Sequence, residues 1–245
     1  MRLTRFRLIS TLVLLLAGSA AAAAVSLKHE PDFYSRAAVP TGPKRYETSN
    51  EFVTRDLFPF IASFDGGGGH SKWRFTFTQE QINSFFEEDF VRWGDAKTLR
   101  DAGILQPRVE FLKDEIRVGF RYGDGPLSTV LSYDLKVWLV KGETNVLAVE
   151  ILRRRAGALP IPTQQLFKEL TELGQRHNIE IEWYRHEGNP VAIIRFQSDR
   201  PRHIAQLLKI DVAPGSLSFQ GVTHDPVQTP VEEQIKKLPE TPAAK

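Results

Sequence analysis

The sequence predicts an α+β fold built mainly from antiparallel strands. Apolar residues alternate with a period of two over most of the chain beyond residue 70, the pattern of half-buried strands. Only two stretches switch to helical spacing, and each is followed by a run of strands rather than by single strand–helix alternation. Strong turn signals such as Gly123-Asp124-Gly125-Pro126 separate the strands. The expected order is β-α-ββββ-α-ββββ, two helix-plus-antiparallel-meander units forming a curved antiparallel sheet packed on helices. Four regions are expected: an N-terminal signal-anchor or signal peptide (1–27), a tether with a short amphipathic segment and a glycine hinge (28–69), an α+β extracytoplasmic domain (70–222) and a disordered Pro-rich tail (223–245).

Leu8 to Val25 is an uncharged run preceded by Arg2, Arg5 and Arg7 and followed by Lys28. At about 1.5 Å per residue it spans about 27 Å, close to a hydrocarbon core of about 30 Å. The Ala20–Ala24 run also offers the small residues that a signal peptidase accepts, so a retained anchor and a cleaved signal both fit. Either way the preceding arginines place the body outside the cytoplasm. Pro31, Pro40, Gly42 and Pro43 then interrupt any periodic pattern, which reads as a tether. Phe52, Leu57, Phe58, Phe60 and Ile61 form an amphipathic stretch that Pro59 is expected to shorten or kink. Gly66–Gly69 reads as a hinge, because no Gly-Lys-Ser or Gly-Lys-Thr follows to make it a phosphate loop.

Trp73, Phe75 and Phe77 alternate with polar residues in a first strand. Thr78 and Gln81 form a capping box for the first helix, whose apolar side carries Ile82, Phe85 and Phe86. A meander follows. Its long third strand keeps Leu127, Leu131, Tyr133, Leu135, Val137 and Leu139 on one face. Thr163 is a candidate cap for a second helix with Leu166, Phe167, Leu170 and Leu173 as its stripe. The closing strands are marked by Ile179–Trp183, Val191–Phe196, Ile204–Val212 and Leu217–Phe219, and four prolines mark the tail.

Composition excludes several function classes. There is no cysteine, which removes disulfides, thiolate zinc sites, a cysteine nucleophile and a lipoprotein anchor. Beyond residue 25 the body carries 29 basic against 30 acidic residues, which argues against sequence-independent nucleic-acid binding. The six histidines show no metal-ligand spacing, and no Gly-x-Ser-x-Gly elbow occurs. Glu87-Glu88-Asp89 and the Glu180/Glu182 pair read as solvated faces. No catalytic residue, metal site or cofactor is therefore assigned; a cleft collecting Glu88, Asp134 or His186 would reopen the case for a hydrolase. Arg153, Arg154 and Arg155 form the single basic triplet and are candidate contacts for lipid headgroups, although strand alternation would send them to opposite faces.

The stretch Phe75 to Phe86, with Gln106-Pro107-Arg108-Val109, Gly157 to Pro162, Leu208 to Val212 and Leu217-Ser218-Phe219, resembles membrane-anchored bacterial envelope proteins of the YpmS-like kind, over roughly residues 70 to 222. The first stretch matches their F-T-x-x-Q-x-N passage from strand to helix. That family is of unknown function, so the resemblance implies location and fold but no catalytic residues. A looser similarity is to tubular lipid-binding modules, an analogy of fold alone. The expectation is a non-enzymatic domain, exported and anchored to the membrane by its N-terminal segment or released after cleavage. It would bind a lipid, another apolar ligand or an envelope protein. Trp73, Phe75, Phe77, Ile82, Phe85, Phe86, Leu131, Tyr133 and Leu135 are the candidate apolar surface, with core packing as the competing reading. A structural spacer of the envelope is the alternative.

Overall fold

The computed structural model describes residues 19, 22–64, 71–90, 97, 100–101, 103–125, 128–161, 167–168, 171–172, 174–175, 179–196 and 205–224. Most of the N-terminal apolar run, the Gly66–Gly69 hinge, Leu127, Ile204, Leu166, Leu170 and Leu173 of the second helix, and the tail beyond His224 lie outside these residues. No helix among the described residues is long and apolar enough to cross a membrane.

The stretch expected as a tether is folded. Residues 22–28 are helical. Helix α1 (Asp32–Arg36) follows directly after Pro31, and α2 (Pro43–Glu51) opens on Pro43. These two prolines start helices rather than break them: the first turn has no intrahelical partner for its N–H groups, so a missing donor costs nothing there. A π-helical turn (Phe52–Leu57) continues α2 into α3 (Phe58–Phe64), so the backbone is helical from 43 to 64. The N–H of Phe58 bonds the carbonyl of Val53, five residues back. That offset lies just before Pro59, and the backbone stays helical through the proline. The widened turn absorbs one residue, so Phe52 and Phe60 are phased like an i, i+7 pair, about 20° apart instead of about 80°. Both face the same aromatic cluster.

Strand β1 (Ser71–Thr78) leads through the predicted capping box into α4 (Gln79–Glu88): the Gln81 N–H donates to Thr78 Oγ1 at 3.2 Å, and the Thr78 N–H donates to Gln81 Oε1 at 2.8 Å. Then come β2 (Ile104–Phe111), β3 (Ile116–Tyr122), β4 (Thr129–Leu139), β5 (Val146–Ala156), the two-residue β6 (Leu159–Pro160), β7 (Glu180–His186), β8 (Asn189–Arg195), β9 (Ala205–Ala213) and β10 (Ser216–Thr223). The α+β class holds, and all strand pairs are antiparallel. The partners differ from two separate meanders. One sheet has the order β2-β3-β4-β5-β8-β7, with β6 against the end of β5; the other has the order β1-β10-β9.

Two buried asparagines join these layers. The side chain of Asn83 on α4 donates to the Val109 carbonyl (2.9 Å) and accepts from the Val109 N–H (2.8 Å), and Gln79 accepts from the Phe111 N–H (3.0 Å). Together they satisfy the outer edge of β2, which would otherwise present free backbone groups. Asn145, in the β4–β5 turn, donates to the Ala205 carbonyl (2.7 Å) and accepts from the Leu207 N–H (2.9 Å), tying edge strand β9 to the larger sheet. At the β9–β10 turn the Gly215 N–H donates to the Phe111 carbonyl at 3.0 Å.

Candidate functional site

The candidate apolar residues divide into two groups. Trp73, Phe75 and Phe77 share one face of β1 and meet Phe60 edge-on, at ring-centroid distances of 5.3 to 5.9 Å. Phe52, Phe77 and Phe85 are buried together, with Phe75, Ile82 and Phe86 half-buried against them. The α2–α3 rod lies over this face, so the cluster is a packed core between the rod, α4 and the small sheet. Leu131, Tyr133 and Leu135 lie apart from it on β4, where Tyr133 is buried and stacks on Phe120 at 6.0 Å. The amphipathic stretch from Phe52 to Ile61 marks part of the rod that covers the aromatic face, but its first half, from Pro43, reads as a tether.

The opposite face of β4 carries a polar cleft of about 270 Å³. The chain from Ser26 to Arg36 crosses this face of the sheet. The Ala158 N–H donates to the Ser26 carbonyl (2.8 Å) and Thr129 Oγ1 to the Leu27 carbonyl (2.5 Å). Arg121 donates to Glu30 (2.8 Å), and the Tyr34 hydroxyl donates to the Gln106 carbonyl (2.7 Å). Phe33 and Tyr34 pack on Val130, and a Cβ at Gly119 would lie 2.8 Å from the Tyr34 ring, so only glycine lets α1 sit this close. Gly157, at φ 57°, performs the same service at the β5–β6 turn, where a Cβ would overlap the Ser26 carbonyl. Two hydrogen bonds, from Ser35 and Arg121, bear on Glu30. Partial burial opposes its charge, but they hold its carboxyl below the usual range. Burial pushes the Tyr34 hydroxyl up.

The cleft floor is an ion-pair ladder running across four strands. Glu110 on β2 accepts from Arg36 at one oxygen (2.9 Å) and from Arg117 on β3 at the other (3.1 Å). Asp134 on β4 faces Arg117 Nε with one oxygen (3.6 Å) and pairs with Arg153 Nε on β5 through the other (2.6 Å). The carboxylates are nearly buried, at 12% and 14% side-chain exposure, whereas Arg36 and Arg153 are about half exposed. The acids thus form the base of the row, and the two terminal guanidiniums tip outward.

Of the basic triplet, Arg153 and Arg155 line this cleft and Arg154 does not. The cause is a β-bulge. Ile151 pairs with Leu135 but Arg153 pairs with Asp134, leaving Leu152 as an extra residue. Extrapolating the alternation of Leu147, Val149 and Ile151 would place Arg153 and Arg155 on the apolar face; the bulge reverses the phase and brings both to the polar one. Arg154 turns to the other face, donates from Nε to the Ile161 carbonyl at 2.7 Å, and lines a separate cavity of about 250 Å³ with Phe167, Trp183 and Arg185. A second bulge at Leu208 has a similar effect: Lys209 pairs with Gln220 and Leu207 with Gly221, which leaves Leu208 exposed although its strand-mates Leu207 and Val212 are buried.

Of the three groups named for a hydrolase, the cleft collects Asp134 but not Glu88 or His186. Asp134 belongs to the ladder, Glu88 pairs with Arg45 at 2.6 Å beside α2, and His186 faces buried Glu150 at 3.5 Å near β8. Among the described residues no group of three or more His, Asp or Glu is placed to hold a metal ion. Comparisons with protein-family models, with curated proteins and with solved structures return no match to this chain.

Proposed function

We propose that this protein is an exported, non-catalytic binding domain held at the membrane by its N-terminal segment, with a lipid, another apolar ligand or an envelope protein as its ligand. The observation that carries the reading is the docking of Ser26 and Leu27 into the body, immediately after the Leu8–Val25 apolar run. A body joined this way stands against the bilayer surface without a swinging linker. The resemblance to YpmS-like envelope proteins supports the same placement. The packed aromatic core favours a ligand bound on the surface, such as a headgroup or a protein, over an acyl chain enclosed among Trp73, Phe75 and Phe77.

The test is recovery of the intact chain from bacterial membranes. The reading expects the chain to stay in the membrane fraction after a carbonate wash, and native mass spectrometry to show a bound lipid or protein. A chain released in soluble form with its N-terminal segment intact, or one that is always free of any bound mass, contradicts it. Absence of bound lipid with retention of a protein partner would favour the envelope spacer instead.

A further inference from the structure

We propose that the cleft beneath α1 is an oxyanion site, seated on Arg153 and Arg155, for a monoanionic group of the phosphodiester class. The inference does not depend on how the chain is attached to a membrane.

Charge and donor supply both point this way. Each oxygen of Glu110 and Asp134 already faces a guanidinium. Arg153 meets Asp134 through Nε, and its side chain is about half exposed at the cleft. Arg155 stands two residues along the same face, opposite Ser132, and its side chain has no ion-pair or hydrogen-bond partner among the described residues. Asp32 also lines the cleft, so four guanidiniums face three carboxylates with Glu110 included, an excess of one positive charge. That excess matches a monoanion. The Arg153 and Arg155 forks and the Ser132 hydroxyl are donors of the kind that oxyanions accept. A volume of about 270 Å³ exceeds a single water's share of about 30 Å³ severalfold, leaving room for the substituents of a diester.

The ladder explains why the site is preorganised. Arg117 and Arg153 are fixed by buried carboxylates on neighbouring strands, so their orientation is set before a ligand arrives. The Leu152 bulge is what puts two arginines rather than one on this face.

The test uses the intact chain in phosphatidylcholine nanodiscs, titrated with glycerophosphoglycerol and followed by phosphorus NMR. The expected result is saturable binding with Kd on the order of 1 mM or tighter. R155A should weaken it about tenfold or more, whereas R154A, on the other face, should leave it unchanged. R155Q, which keeps the stem and a polar end, guards against misfolding, with circular dichroism confirming the fold. Repeating the titration in phosphatidylglycerol nanodiscs identifies the source. Suppressed probe binding assigns the site to a membrane headgroup, and unchanged binding assigns it to a soluble phosphodiester; both support the site. No saturable binding by the unmodified chain, or equal losses in R155A and R154A, overturns the proposal.

Discussion

Replacing Asn145 should be among the most damaging single changes available in this chain. Its side chain is 1% exposed and joins the β4–β5 turn to edge strand β9 through two hydrogen bonds, at 2.7 and 2.9 Å. Both partners, the Ala205 carbonyl and the Leu207 N–H, belong to buried residues. Asn145→Ala strands one acceptor and one donor away from water, at about 1–3 kcal/mol each. The residue also sits at φ 57°, where an alanine Cβ costs about 1–2 kcal/mol. The sum is a loss of about 3–8 kcal/mol, a large part of the stability of an ordinary domain. Asn145→Gly removes the same hydrogen bonds without the backbone penalty. After allowance for glycine's extra freedom in the unfolded chain, it should be more stable than the alanine variant by about 0.5–1 kcal/mol. Urea unfolding of the intact chain, followed by the fluorescence of its four tryptophans, measures both. The reasoning is refuted if Asn145→Ala costs less than about 1 kcal/mol, or if glycine proves no better than alanine.

Gly119→Ala should lift α1 off the sheet, because its Cβ would lie 2.8 Å from Tyr34 and 3.0 Å from Phe33; the expected cost is about 1–3 kcal/mol, with faster hydrogen exchange over residues 32–37 than over β9. Thr78→Ala removes half of the capping box and should cost about 1 kcal/mol in the same urea assay, and Gln81→Ala a similar amount. The lowered pKa of Glu30 gives the docking of residues 26–36 a pH dependence. Its contribution is complete above the ordinary carboxyl value of 4.5 and is lost as pH falls through the lowered folded value, so acid should loosen this segment first. Glu30→Gln should flatten that dependence in pH-resolved hydrogen exchange, and an unchanged acid profile would remove Glu30 from the account.

What the sequence reveals is mostly local. The capping box of Thr78 and Gln81, the amphipathic α4 and the alternation along β1 and β4 can be read from a few neighbouring residues, and the structure contains all of them. The prolines misled for a local reason as well: Pro31 and Pro43 have the same composition signal whether they end a helix or precede its first turn. The features that build the cleft are not local. Alternation alone assigns Arg153 and Arg155 to the apolar face, and only the cross-strand register of β4 reveals Leu152 as the extra residue. Asn83 and Asn145 look like ordinary helix and turn residues until their partners, 26 and 60 positions away, are known. The aromatic residues were legible as a set. Whether they line a groove or fill a core depends on Phe52 and Phe60, whose amphipathic segment is legible but whose docking on β1 is not a local property.

The π-helical turn at Phe52–Leu57 bears on how this chain tolerates changes in length. Its widened geometry holds one residue more than an α-helix needs to bring Phe60 into phase with Phe52. Deleting a solvent-facing position there, such as Thr54, lets the rod become α-helical while both rings keep their places over β1. Adding a residue has the opposite effect, turning everything from Phe58 to Phe64 by about another 100° and carrying Phe60 and Phe64 away from Trp73. Related chains that differ in length within this rod should therefore be one residue shorter, and not one residue longer.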